Sequence, residues 1–246
     1  MLNYFDIIFI AGFFHFHPLL QNQQGFEEVG TLIADRKTVA IKLDQTMDDV
    51  WKNEIHSKNR NVIRKAEKAG CRFVVDDGYE HLQDFQRLYA ATMDKLSAEL
   101  FYYFPDDYYT KLRDNVEHSF LGYVEHEGKI ISSAIFMYSG EWGHYHLSGS
   151  DRSMLALSPN NLMLWEAAKE LQRRGVKLFH LGGGTNGDEE NSLYQFKRKF
   201  SKETHQFFIG KMIFNPAVYD AVCKDWEGRN PERAEQFKNI TLKYKY

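Results

Sequence analysis

The stretch "SFLGYVEHEGKIISSAIFMYSGEWGHYHLSGS", Ser119 to Ser150, decides the fold. Three extended runs, "SFLGYVEH", "KIISSAIFMY" and "WGHYHLSGS", are divided by the turn signals Glu127-Gly128 and Ser139-Gly140, a pattern that predicts an antiparallel meander. Downstream, Ser158 followed by Pro159 marks a helix start, Leu164, Ala168 and Leu171 share one face, and Gly175 closes the helix. "VKLFHL" is the next strand and "SLYQFKRKF" a short helix. "THQFFIG" and "KMIF" read as a final hairpin-like pair, followed by helical segments beginning near Pro216 and Pro231. Upstream, "CRFVVDD" is a strand, Leu82, Phe85, Leu88, Met93 and Leu96 recur at helical spacing, and Pro105 opens the helix "PDDYYTKLRDN". Earlier still, the strand "TVAIKLD" leads into a long helical pattern from about Met47 to Ala69, with Thr46 as N-cap and Gly70 as the stop. From Cys71 onward the order is β-α-α-β-β-β-α-β-α-β-β, which implies an α/β protein with a mixed sheet and helices on both faces.

Composition bounds the chemistry. The 246 residues are 43% hydrophobic and 15% aromatic, ample for a globular core, and the formal charge of −3 excludes a generally basic nucleic-acid binder. Any contact with RNA must therefore come from a local patch. Cys71 and Cys223 have no CxxC or zinc-ligand spacing, so no disulfide framework is expected and the compartment is reducing. The amino end, "MLNYFDIIFIAGFFHFHPLL", is apolar but lacks a basic n-region, carries Asp6 and is too short to span a bilayer, so it reads as folded protein in the cytoplasm.

The run "KLFHLGGGTNGDEENSLYQFKRKF", Lys177 to Phe200, carries the chemistry. It contains neither GxxxxGK[ST] nor GxGxxG, so no phosphate-cradling motif is present. Gly182, Gly183 and Gly184 either let the backbone turn or clear space for a ligand at the strand end. On the helix that follows, taking about 100° per residue from Leu193, Phe196 falls near −60°, Phe200 near −20° and Lys197 near +40°. Lys197 thus shares the apolar sector, where its ammonium either snorkels to water or enters a cleft.

Four segments, "NRNVIRKAEKAG", "YHLSGSD" with "LSPNNLMLWEAAKELQRRG", "LFHLGGG" and "SLYQFKRKF", resemble the Fem-type peptidoglycan-bridge aminoacyltransferases and their GNAT-like bacterial relatives, over roughly Phe16 to Phe214. The resemblance implies a GNAT-like acyltransferase fold, with residues 1–70 the remnant of a first GNAT-like domain ending in a basic helix and residues 71–246 a complete second one. It implies acyl or aminoacyl transfer to an amine of a peptidoglycan precursor. The expected donor is aminoacyl-tRNA or acyl-CoA, with no permanently bound cofactor and no metal. Residue by residue, Phe196 and Lys197 match a Phe-Lys pair important for transfer, Tyr145 a tyrosine-bearing strand at the acceptor site, Asp44 an acidic residue near the cleft, and Arg64 and Lys65 the basic helix at the domain junction. Peripheral contact with the inner membrane face is a further expectation.

Attack of an amine on an ester or thioester builds negative charge on the carbonyl oxygen, which a cation in a low-dielectric cleft stabilises. Lys197 fits that role, and Asp44, Asp151 and His146 are the candidate bases. Tyr102 and Tyr103, in "LFYYFPDDYY", are candidates for an acceptor groove alongside the glycines. The [QR]xxGx[GA] turn by which ordinary acetyltransferases hold the coenzyme A pyrophosphate is replaced by "DRSMLALSPNNL". That weakens the reading as an acetyl-CoA-dependent N-acetyltransferase of an amino sugar, although helix amides behind Ser158 remain available to an anion. The third reading is a non-catalytic binding module. His144 with His146, and His15 with His17, share HxH spacing without completing a metal-ligand set.

Overall fold

Alternation along the meander divides its side chains between two cores. In the computed structural model, which describes residues 9–246, Phe120, Ala134 and Phe136 enter one apolar cluster while Leu121 and Ile135, their chain neighbours, enter another. Such a sheet is buried on both faces, and each face requires its own helices.

The strands are β1 (Ala11–His15), β2 (Thr31–Lys42), β3 (Arg72–Asp76), β4 (Ser119–His126), β5 (Lys129–Ser139), β6 (Trp142–Ser150), β7 (Leu178–Gly183) and β8 (Thr204–Ile213). The helices are α1 (Ser57–Lys68), α2 (Leu82–Leu96), α3 (Asp106–Asn115), α4 (Pro159–Arg173), α5 (Ser192–Arg198) and α6 (Pro216–Arg229). The chain forms two compact units. The larger comprises residues 38–185 and 189–204; the smaller comprises the described part of residues 1–37 with residues 186–188 and 205–246. Gly70, the expected junction of two domains, lies inside the larger unit.

Within the larger unit the strand order is β2-β7-β6-β5-β4-β3, with Thr38–Lys42 of β2 taking part. All neighbours are antiparallel except β6 and β7, which are parallel across the α4 crossover. One face is covered by α1 and α4 through Ile63, Ala66, Leu164, Ala168 and Leu171, and the other by α2 and α3 through Phe85, Tyr89, Tyr109 and Leu112. Complete burial of a Leu or Phe side chain stabilises by roughly 1.5–3 kcal/mol, and Phe85, Phe120, Phe136, Phe179 and Phe200 are all completely buried. The mixed α/β architecture with helices on both faces is as the sequence predicts.

Two local expectations need correction. The long helix expected over Met47 to Ala69 is broken: Thr46 does cap a first turn (Asp49 N to Oγ1, 3.1 Å), but a π-type turn over Val50–Glu54 follows and the chain is extended at Ile55 before α1 begins. Arg60 supports the break by donating to the carbonyls of Ile55, Lys52 and Trp51 at 2.6, 3.1 and 3.2 Å, which helical bonding would otherwise have used. The hairpin expected from "THQFFIG" and "KMIF" is instead one continuous strand, β8, because Gly210 carries no turn. Gly210 faces Phe14 in the antiparallel ladder between β1 and β8.

In the smaller unit β8 lies between β1 and the Thr31–Lys37 end of β2, and α6 follows from Pro216, capped by Asn215 Oδ1 on Val218 N at 3.2 Å. Residues 1–8, part of the apolar amino end, lie outside the described residues. Among the described residues no helix is long and apolar enough to cross a membrane. Cys71 and Cys223 are buried and unbridged.

Candidate active site at the parting of two parallel strands

β6 and β7 pair only through Trp142–Leu178, Gly143–Phe179 and His144–His180, although β6 continues to Ser150 and β7 to Gly183. Irregularities on both strands account for the parting. β6 has a bulge at His146, since Phe136 faces Tyr145 and Ile135 faces Leu147, and β7 has one at Leu181, between the pairs Ala40–His180 and Val39–Gly182. A bulge adds a residue to one strand, bends it and raises its twist. Two on facing strands open the carboxyl ends of the parallel pair, where open α/β sheets bind ligands.

Lys197 points into this opening. It is 7% exposed, its Nζ donates to Gly183 O at 2.8 Å, and the ammonium lies 5.9 Å from the centre of the Tyr145 ring. Desolvation holds its pKa down at about 8. Of the two positions that helical spacing left open, snorkelling to water is not the one taken, since the ammonium is buried against a main-chain carbonyl at the strand ends. Gly182 lies beneath it at φ +80°, and a Cβ there would stand 3.2 Å from the ammonium. An L side chain at that position would be strained and would crowd the cation. Gly184 has a local role: a Cβ would come within 2.6 Å of Asn191 Oδ1, the atom that caps α5 by accepting from Leu193 N and Tyr194 N. The glycine run therefore both forms the bed of Lys197 and starts the helix that carries it. Phe196 is half-buried, packs against the core and meets Phe200 edge-on at 5.5 Å.

Tyr145 turns its ring to the Phe136 face and donates its hydroxyl to Ser148 Oγ at 2.5 Å, and burial pushes its phenol up to about 12. His146 shares a hydrogen bond of 2.7 Å with Tyr108 of α3, on the opposite face. Burial lowers the His146 pKa, which favours the neutral ring; where its Nε2 donates to the Tyr108 hydroxyl, Nδ1 is the acceptor. Below the opening, His144 and His180 meet Nδ1 to Nδ1 at 3.1 Å with nearly parallel rings, one nitrogen donating and the other accepting. The site thus presents a cation, carried by α5, on one face of the sheet, an imidazole of β6 on the other, and between β6 and β7 a gap at their carboxyl ends.

The remaining predicted residues stand elsewhere. Asp44 is exposed just past the end of β2 that pairs with Leu178, the far end of β7 from Gly183, about 16 Å along a strand at 3.3 Å per residue. Its charge acts on Lys42 and Lys177. Asp151 caps the turn Arg152–Leu157 and is bound by Lys129 Nζ at 2.6 Å and by Ser153, bonds that pull its pKa to about 2. A carboxylate so acidic is a poor proton acceptor near neutrality. Tyr102 and Tyr103 are exposed on the α2–α3 connection, where Tyr102 O accepts from Tyr89 and Tyr103 OH donates to Asp94 at 2.9 Å. Arg64 and Lys65 are exposed on α1, Arg64 lying 5.2 Å from the centre of the Trp51 ring. At α4, Pro159 has no N–H, while Asn161 N and Leu162 N bond Ser158 O at 3.1 and 3.5 Å, so the helix start expected to receive an anion spends most of its donors internally. Among the described residues no group of three or more His, Cys, Asp or Glu is placed to hold a metal ion.

Sequence reasoning missed Tyr108 and His180. Alternation offered a signal for His180, since it lies between Phe179 and Leu181 and must face the other side of the sheet. Tyr108 reaches His146 across 38 residues of sequence, and no local pattern announces it.

A mixed sheet with helices on both faces and one parallel pair that parts at its carboxyl ends defines a GNAT-type fold. The family described as "Acetyltransferase (GNAT) domain" matches residues 55–198, and the chain belongs to it. Over 173 residues it is 22% identical to UDP-N-acetylmuramoylpentapeptide-lysine N(6)-alanyltransferase of Weissella viridescens, a match covering 69% of this chain and 50% of that protein. The chain thus spans about half the length of that curated relative. The crystal structure of FemX shares the fold with a TM-score of 0.63 at 18% identity over 85% of this chain and 68% of that one. The C-terminal domain of a putative lysylphosphatidylglycerol synthetase from Agrobacterium fabrum does so with a TM-score of 0.54 at 15% identity, over 78% and 64%. The likeness to Fem-type transferases expected from the sequence motifs is borne out.

Proposed function

We propose that the chain transfers an aminoacyl group from an ester donor to an amine of a peptidoglycan precursor, in the opening between β6 and β7. The observation that carries this reading is the ammonium of Lys197, sequestered at the strand ends and bound to Gly183 O. The acceptor amine attacks the acyl carbonyl, the C–N bond forms, and charge moves to the carbonyl oxygen beside Lys197. The C–O bond then breaks, the leaving oxygen takes back the proton that the base received from the amine, and the donor departs as its alcohol. A fixed cation in a dry site stabilises that oxyanion without reorganisation. His146 accepts the proton of the amine, being the one base candidate that is both neutral and beside the opening. The Weissella viridescens relative is named for alanyl transfer to a lysine N6 of UDP-N-acetylmuramoylpentapeptide, and an acceptor of this kind is the one we assign here.

Aminoacyl-tRNA is favoured as donor over acetyl-CoA on two grounds. The start of α4 has few free amides for a pyrophosphate, and α1 carries a basic face. At about 100° per residue Lys58, Arg64, Lys65 and Lys68 fall within an arc of about 120°, all exposed and none in an ion pair among the described residues. Lys197→Met tests the reading. With alanyl-tRNA and the UDP-linked pentapeptide, kcat should fall by about 100-fold to 1000-fold with little change in acceptor KM. An unchanged kcat removes the proposed role, and absence of any transfer by the unaltered protein favours the binding-module reading.

A further inference from the structure

We propose a second ligand site, independent of the transfer reaction, in the smaller unit: a cleft of about 420 Å³ that takes a small phosphate monoester with a hydroxylated body, such as a sugar phosphate. The size lies within the range of small-molecule sites. Its walls come from the start of β2, the end of β8, α6 and the chain after Phe237, all within that unit.

The lining is polar and cationic. Lys211 and Lys238 both line the cleft, and among the described residues no Asp or Glu does. Lys211 spends one of its three N–H groups on Asn239 O at 3.2 Å and has no carboxylate partner among the described residues. Lys238 contacts Glu235, but that pair is 58% and 83% exposed, where an ion pair contributes little and yields readily to a better anion. Thr31 and Asn239 also line the cleft, and neither side chain has a hydrogen-bond partner among the described residues. Two ammonium groups with spare donors, a hydroxyl and an amide together match the acceptor oxygens of a phosphate and the hydroxyls of its ester. Ile213 and Ile240, 44% and 42% exposed at the same cleft, supply the apolar edge against which a ligand body loses water.

A neutral sugar would leave both ammonium groups unanswered, and a bare inorganic ion would leave the walls unused. The chemistry of the lining therefore selects the monoester. The position is also well built: Tyr219 OH fixes Thr241 O at 2.9 Å, and Lys243 is buried against Glu227 at 2.6 Å, so the tail of successive turns that forms one wall is anchored at two points.

Calorimetric titration of the full chain with glucose 1-phosphate, inorganic phosphate and glucose tests the proposal. Glucose 1-phosphate should bind saturably with a Kd below about 1 mM, inorganic phosphate about tenfold more weakly, and glucose not measurably. In the double variant Lys211→Gln, Lys238→Gln, glucose 1-phosphate affinity should fall at least about tenfold. Circular dichroism and the melting temperature confirm that the variant is folded. The single variant Lys238→Gln is a second reading should the double one unfold, and a loss of about threefold is expected there. Failure of glucose 1-phosphate to saturate, equal binding of glucose, or unaltered affinity in the folded variants overturns the site. None of these outcomes depends on transfer activity.

Discussion

At the scale of single residues, Lys197 carries two opposed properties. It serves as a cation where charge develops, and it is held where an ammonium is poorly solvated. Its pKa of about 8, against an ordinary 10.5, measures the second. Since the unfolded chain holds the proton between these values and the folded chain does not, stability rises as pH climbs from about 8 to about 10.5. Below that window the buried charge costs roughly 3 kcal/mol, at 1.36 kcal/mol per pH unit. Transfer has the opposite dependence, because the protonated lysine disappears as pH passes about 8. We expect kcat to decline above that pH while the melting temperature, corrected for the general loss of stability in alkali using Lys197→Met, increases. The same variant at pH 7 should melt roughly 5 °C higher than the parent, the relief of desolvation exceeding the one hydrogen bond lost to Gly183. A variant that is less stable at pH 7, or a kcat profile flat to pH 9.5, contradicts the assignment. Such an exchange of stability for chemistry is common at sites where charge is held ready.

At the scale of elements, the break between the Val50–Glu54 turn and α1 shows what a pattern of residues can and cannot announce. Thr46 and Gly70, the two ends of the expected helix, are marked by side-chain chemistry and lie where expected, with Gly70 at φ +85°. The interruption at Ile55 has no Gly or Pro to mark it. It depends on Arg60, whose guanidinium gathers three carbonyls, and on His56, whose Nδ1 accepts from Lys58 N at 3.2 Å to cap the new start. Neither device is registered by periodicity: Arg60 reaches back five to nine residues, and His56 is not one of the usual N-cap residues. The meander and its helices were legible for the converse reason: alternation and capping are local, and a core on each face leaves them no other arrangement. The parting of β6 from β7 was not legible, since a bulge consists of one extra residue without a distinctive side chain. Arg60→Ala should cost about 2 kcal/mol, lowering the melting temperature by roughly 4–8 °C, because buried or half-buried carbonyls lose a charged donor. A melting curve that coincides with the parent's would mean that water serves those carbonyls equally well.

At the scale of the whole molecule, a net charge of −3 conceals an uneven distribution, and that distribution bears on the donor. The exposed acids of α3, Asp106 and Asp107, lie by Tyr108 on the His146 side of the sheet, the side we assign to a cationic amine acceptor, while α1 offers its basic face on the other. Amines arrive as ammonium ions and RNA as a polyanion, so a transferase joining them gains association rate from opposite potentials on opposite faces. Composition alone excluded a basic protein and could not reveal this segregation; a helical projection of residues 57–68 does. Each phosphate contact contributes about 0.9 to the slope of log affinity against log salt for a duplex. Neutralising Lys58, Arg64, Lys65 and Lys68 together to Gln should therefore lower that slope by about 2 or more if at least two of them meet tRNA. KM for the charged tRNA should increase about tenfold or more at low salt, with kcat and the KM of the pentapeptide acceptor unchanged, because the groups that meet the Lys197 ammonium are Gly183 O and the Tyr145 ring and not these four. If the donor is acetyl-CoA instead, charged tRNA is not turned over, kcat and both KM values with acetyl-CoA match the parent's in the quadruple variant at every salt concentration, and the basic face is merely a solvated one.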